Sequence, residues 1–180
     1  FLNIDQNQVV AVIEAPQDKE IAKLSEKLNT TYVAFGNAEK RQEVAANQVA
    51  QDANAAQLNT LAVAGRAMTK ASNQYVSRWD LVDACRLKEV KLEDLKKEDL
   101  PPELQKLSKE ELKAFVDKKQ AERDKLREEI KELTAKRAAY VPAEQKRLAK
   151  TDPQANTLDA AIIQSVRQQA TKKNYTIQAK

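Results

Sequence analysis

The chain contains no histidine, so its chemistry must proceed without the side chain that titrates near neutrality, the usual general base and the commonest zinc ligand. That absence weighs against most enzyme classes, and we expect a non-enzymatic protein. Glycine occurs twice in 180 residues and aromatics make up 4%. A β-sandwich or a dinucleotide-binding unit needs frequent tight turns and glycine loops, which so few glycines cannot supply. Cys85 is the one cysteine, so no disulfide can form within these residues, and the redox compartment stays open. No long apolar run is present, and no membrane span is expected. The sequence begins at Phe1 rather than methionine, with strand-like residues at once. We therefore expect an upstream portion that would carry any targeting signal.

What the chain does have is charge, 32% of its residues, with abundant alanine, leucine and glutamine, a composition that favours long helices. The stretch 108–137 carries the clearest pattern. Leu112, Val116, Leu126, Ile130, Leu133 and Tyr140 follow a three-four spacing, and Lys119, Arg123 and Arg137 fill the remaining positions of that seam. Their alkyl stems are expected to cover apolar surface while the charges reach water. Ser108 and Glu111 form a capping box that sets the start, and Pro142 is expected to stop or kink the helix. So narrow a stripe needs a partner.

Residues 1–13 hold two short apolar pieces around a polar turn and read as a strand pair. Pro16 opens a helix with Asp18 and Glu20 in its first turn and Ile21, Leu24 and Leu28 on one face. Residues 30–35 read as a strand ended by Gly36. From 37 to 74 the pattern allows one long helix, or two meeting near 54–60. In its second part Leu58, Leu61, Ala62, Gly65, Met68 and Ser72 share a face, the expected partner for the seam. Trp79 begins a short helix, with Ser77 as its cap, and is expected to pack inward as an anchor. Pro101 and Pro102 stiffen the entry to the long helix, with Leu100, Leu104 and Leu107 over the end of the bundle. A short basic helix at 143–150, a loop at 151–156 and a last helix bearing Leu158, Ile162, Val166 and Ala170 complete the chain, with 175–177 an extended tail. The fold class expected is mainly α: long antiparallel helices in a bundle or hairpin, with a small β element at the amino terminus.

The order VIEAPQDKEIAKLSEKLNTTYVAFG, QDANAA, SRWDLVDA, DLPPEL and KKQAERDKLREEIKELTAKRAAYV resembles the carboxy-terminal region of bacterial von Willebrand factor type A domain proteins. The resemblance implies that residues 1–35 are the trailing strand and helix of an upstream A domain and that 36–180 are a helical extension. It also implies export to the periplasm or beyond, with an adhesion or assembly role for the A domain. The family's Asp-x-Ser-x-Ser metal motif does not occur here, so no metal or cofactor residue carries over to this chain.

Each candidate site has a plain reading beside it. Asp80 and Asp83, three apart, can share a cation, but two carboxylates without further oxygen ligands make a weak site, and capping or surface roles are expected. Cys85 beside Arg86 can be a reactive thiol; with no base available, a partly buried structural cysteine is expected. From residue 136 onward, Lys136, Arg137, Lys146, Arg147, Lys150, Arg167, Lys172, Lys173 and Lys180 outweigh Glu144, Asp152 and Asp159. Such an excess can meet nucleic-acid phosphate or an anionic membrane. The charges are scattered, and a solvated face is the expected reading. Trp79, Asp80, Leu81, Asp83 and Tyr140 remain as anchors for packing or for a protein partner. The function expected is an interaction or spacer module, with a basic binding surface or a coiled-coil homo-oligomer through the central helix as alternatives.

Overall fold

The computed structural model describes residues 13–72, 74–151 and 158–173. Their regular structure is six α-helices and one 3-10 turn: α1 (Pro16–Asn29), α2 (Ala38–Leu58), α3 (Thr60–Ala71), α4 (Leu81–Arg86), the turn Lys97–Asp99, α5 (Lys109–Thr151) and α6 (Leu158–Lys172). The chain is mainly α, as composition requires. It divides into two compact units, Ala15–Ala138 and a second formed by Phe1–Glu14 with Ala139–Lys180.

Among the described residues no strand forms. The segment 30–35 is extended, but it makes one antiparallel bridge, Ala34 with Asp80. The facing chain turns into α4 directly after Asp80, so no second rung is available. The strand pair expected over 1–13 lies, Ile13 apart, outside the described residues, as does the tail at 175–177.

In the first unit, α1 begins as expected at Pro16. Asp18 accepts the Ala15 N–H at 2.8 Å, and Ile21, Leu24 and Leu28 are buried. The alanine-rich region breaks at Asn59, whose side chain accepts the Ala62 N–H at 2.8 Å and caps α3. The face α3 buries is not the one periodicity suggested. Ala64, Ala67 and Ala71 are inside with Lys70, and Leu58 is 74% exposed. Alanines against α1 let the two helix backbones approach closely, and this contact selects the face in preference to the bulkier residues.

Two apolar clusters organise this unit. One joins Ile21, Leu24 and Leu28 of α1 and the three alanines of α3 to Ile130 of α5, with Leu126 and Leu133 beside them. The other sets Leu112 and Val116 of α5 against Val33, Phe35, Leu81, Val82, Leu100 and Leu104. The seam of α5 therefore has partners in α1 as well as α3, and its first turns pack on α4 and the proline loop.

α5 starts where its capping box places it: the Ser108 N–H donates to Glu111 Oε2 at 2.8 Å and the Glu111 N–H to Ser108 Oγ at 3.1 Å. It does not stop at Pro142 but runs through it to Thr151, absorbing the separate helix expected at 143–150. Proline removes one backbone hydrogen bond, and the flanking run of good helix formers carries the helix past it. In the second unit the described residues are Ile13 and Glu14, the last turns of α5, and α6 with Lys173; Ile162 and Val166 of α6 are exposed.

Candidate functional site

The residues that carry chemistry converge where α4, the extended segment and the middle of α5 meet. Asp80 is the N-cap of α4, not Ser77: its Oδ2 accepts the Asp83 N–H at 2.9 Å, which satisfies an orphan amide of the first turn. Its Oδ1 accepts the Val33 N–H at 2.7 Å, so the same carboxylate fixes the extended segment beside the helix. Asp83 in turn accepts the Ser77 N–H at 3.2 Å and holds the turn before α4.

Against these two aspartates α5 places Arg123. Its Nη1 lies 2.5 Å from Asp80 Oδ2 and 3.1 Å from Asp83 Oδ1. Its Nε donates to Thr31 Oγ1 at 3.0 Å and its Nη2 to the Thr31 carbonyl at 2.6 Å. The guanidinium also stacks on Tyr32, 4.2 Å from the ring centroid. Arg123, Asp80 and Asp83 are 0%, 2% and 0% exposed. This corrects the expectation that Arg123 sends its charge to water; of the capping or surface roles expected of the aspartates, Asp80 takes the capping one, and neither lies at the surface. Burial alone would pull the Arg123 pKa down, but the hydrogen bond and charge of Asp80, reinforced by Asp83, hold it above its usual value. Burial likewise pushes the Tyr32 phenol well above its ordinary range, against the pull of Arg123.

No solved structure, curated protein or family model matches the chain. The chemistry of the site must therefore be read from its own geometry.

That geometry leaves the aspartates engaged. Asp80 accepts two backbone amides and a guanidinium; Asp83 accepts a backbone amide and faces Arg123, with Arg86 at 3.2 Å and Arg127 at 3.7 Å. A carboxylate so paired has little room for a cation. Among the described residues, no group of three or more potential ligands is assembled for a metal ion.

A second polar knot joins α1, α2 and α3. Asp52 faces Arg66 Nε at 2.5 Å and Lys70 Nζ at 3.3 Å, while Asn29 accepts from Lys70 at 2.7 Å and donates to Asp52 at 2.7 Å. Desolvation opposes the Asp52 charge, but the hydrogen bonds and charges of Arg66 and Lys70 lower its pKa. Lys70, 1% exposed, is lowered by burial and by Arg66. Arg137 pairs with Asp18 at 2.6 Å and ties α5 to the start of α1.

The remaining predicted residues fall as follows. Leu81 is fully buried. Trp79 does not pack inward: it is 43% exposed, stands against Phe35 and Gly36, and has Lys40 Nζ 4.9 Å above its ring. Cys85 is half-buried, and burial, with Asp80 and Asp117, raises its pKa, the reverse of what a reactive thiolate needs. Arg86 is turned to Asp83. Tyr140 belongs to the second unit, where it is half-buried, and is not among the residues of this cluster.

Proposed function

We propose that the chain is a non-enzymatic interaction or spacer module, the helical extension of an exported protein with a von Willebrand A-like domain. The observation that supports this reading most directly is the way ionisable groups are used. The two fully buried carboxylates at the heart of the fold are matched to guanidinium and backbone donors and serve to join elements. Beside them Trp79, Val76 and Leu87 remain exposed at 43%, 38% and 39%, large apolar side chains of the kind that anchor partners. No helix among the described residues is long and apolar enough to cross a membrane. The basic-surface alternative is weakened by the pairing of Arg137 with Asp18 and of Arg147 with Glu144. The seam that a coiled coil between chains would use is engaged within the first unit.

The test is twofold. Purified protein is assayed on chromogenic esters, phosphates and glycosides; turnover that copurifies with it and vanishes in Asp52→Asn defeats the proposal. Photo-crosslinking to proteins of the source cell from a probe at residue 76 should give discrete adducts that Trp79→Ala depletes.

A further inference from the structure

We propose that Arg127, Arg66 and Tyr32 form a binding site for a small tetrahedral oxyanion, phosphate or sulfate, at the junction of α5, α3 and the segment after α1. The inference goes beyond the interaction module and does not depend on it. It starts from hydrogen-bonding groups left over inside the first unit. Among the described residues six buried side-chain N or O atoms have no hydrogen-bond partner. Two are the carbonyl oxygens of Gln17 and Gln120; the other four are Arg127 Nε, Arg127 Nη2, Arg66 Nη2 and Tyr32 Oη, and all four can donate. Arg127 is 7% exposed. Its one ion pair, Nη2 with Asp83 Oδ1 at 3.7 Å, is beyond hydrogen-bonding distance. A native fold rarely leaves a buried guanidinium so placed, because each donor has given up water and gained no acceptor.

The four donors belong to one neighbourhood. Tyr32 has the Arg123 guanidinium 4.2 Å from its ring centroid, Lys70 Nζ at 5.7 Å and the Tyr75 ring edge-on at 6.4 Å. Arg127 follows Arg123 by four residues on α5, and its charge acts on the Tyr32 phenol. Arg66 precedes Lys70 by four residues on α3, and its charge acts on Tyr75. Burial keeps the Tyr32 phenol protonated, so it enters as a donor. The charge around these rings is positive on balance: Arg66, Lys70, Arg86, Arg123 and Arg127 stand against Asp52, Asp80 and Asp83, each of which already faces at least one of those cations. A neutral ligand would leave that excess in place, whereas an anion offsets it. Arg127 Nε and Nη2 are one edge of the guanidinium fork, and their parallel N–H groups match two oxygens of a carboxylate or phosphate. A carboxylate has no oxygen beyond those two. A tetrahedral anion has two more, for Arg66 Nη2 and Tyr32 Oη, and this selects phosphate or sulfate. The Arg66 side chain, 20% exposed, is the wet edge by which the ligand enters.

The probe is inorganic phosphate, titrated into the full chain at pH 7 and constant ionic strength with sodium chloride as the reference, and followed by phosphorus NMR line width and by the urea midpoint. We expect a Kd of about 1 mM and, at about twenty times Kd, a rise of about 0.9 M in the urea midpoint. Sulfate should displace phosphate and acetate should not; the reverse order overturns the proposal. Arg127→Met keeps a buried alkyl stem and deletes the unmatched donors, so it should fold and abolish the response. Arg127→Lys keeps the charge without the two-pronged edge and should weaken binding about tenfold. Tyr32→Phe keeps the ring between Arg123 and Tyr75, loses one donor, and should weaken binding about fivefold. Lys131→Met, at an exposed position of the same helix, should bind like the wild type. No response up to about 50 mM phosphate, an equal response to chloride, or an undiminished response in folded Arg127→Met or Arg127→Lys overturns the proposal. A loss in Lys131→Met equal to that in Arg127→Lys would make the effect one of bulk charge and overturn it too.

Discussion

Replacing Arg123 by alanine should be among the most damaging single changes in the first unit. The substitution removes the guanidinium from Asp80 (2.5 Å) and Asp83 (3.1 Å), both donors to Thr31, and the stack on Tyr32. What remains is an aspartate pair almost wholly out of water. Breaking a buried ion pair from one side costs about 3–5 kcal/mol, because the surviving charge is left uncompensated. Arg86 and Arg127 still face Asp83, so the lower half of that range applies, and Asp80 bears most of the loss. With a urea slope of about 2 kcal/mol/M, the midpoint should fall by roughly 1.5–2 M. Trp79, the only tryptophan, reports the transition by fluorescence, and circular dichroism must coincide with it for a two-state reading. Arg123→Met with Asp80→Asn should recover much of the stability, since the pair is then removed together and asparagine still caps α4. A midpoint for Arg123→Ala within about 0.5 M of the wild type, corresponding to about 1 kcal/mol, would refute the assignment of this guanidinium as the clasp of the fold.

Three further outcomes are expected. Gly36 has φ +107°, and a Cβ there would lie 3.4 Å from the Trp79 ring, so Gly36→Ala should lower stability by about 1–2 kcal/mol and shift the Trp79 emission, both read in one urea titration. Pro142 sits inside α5, so Pro142→Ala should slow amide exchange over the last turns of that helix, by up to about 3 kcal/mol in protection, without changing the exchange of α1 or α3. For pH, the Asp52 carboxyl is lowered in the folded state. Its contribution is therefore present above its unfolded pKa of about 4 and is lost as the pH falls through the lower folded value. The urea midpoint should drop below pH 4, less steeply in Asp52→Asn.

Much of the helical architecture was legible in the sequence because the signals were local. Pro16 with Asp18, the Ser108–Glu111 box and the three-four spacing of Leu112, Val116 and Ile130 each act within a turn or two of helix. What escaped depended on partners far along the chain. Periodicity placed Arg123 on the inner face of α5, but it does not say whether water or an acid waits there; the answer lay 43 residues away at Asp80 and 92 away at Thr31. A signal existed: two aspartates three apart in WDLVD, and Arg123 and Arg127 four apart on α5, are complementary pairs. The same limit explains Trp79, read as core from its size although the groups behind it were unknown, and Leu58, exposed because alanines fit α1 more closely. The capping role expected of Asp80 was found; its burial and its bond to Val33 were not. Pro142 misled for the opposite reason, since a strong local breaker was outvoted by its helix-forming neighbours.

The Arg123 clasp has a kinetic consequence. Three stretches separated by tens of residues must arrive together before any of them is rewarded, because a partly gathered set would strand bare charge in a dry interior. Intermediates holding two of the three are therefore penalised, and the first unit should assemble late and all at once, with loop closure limiting the rate.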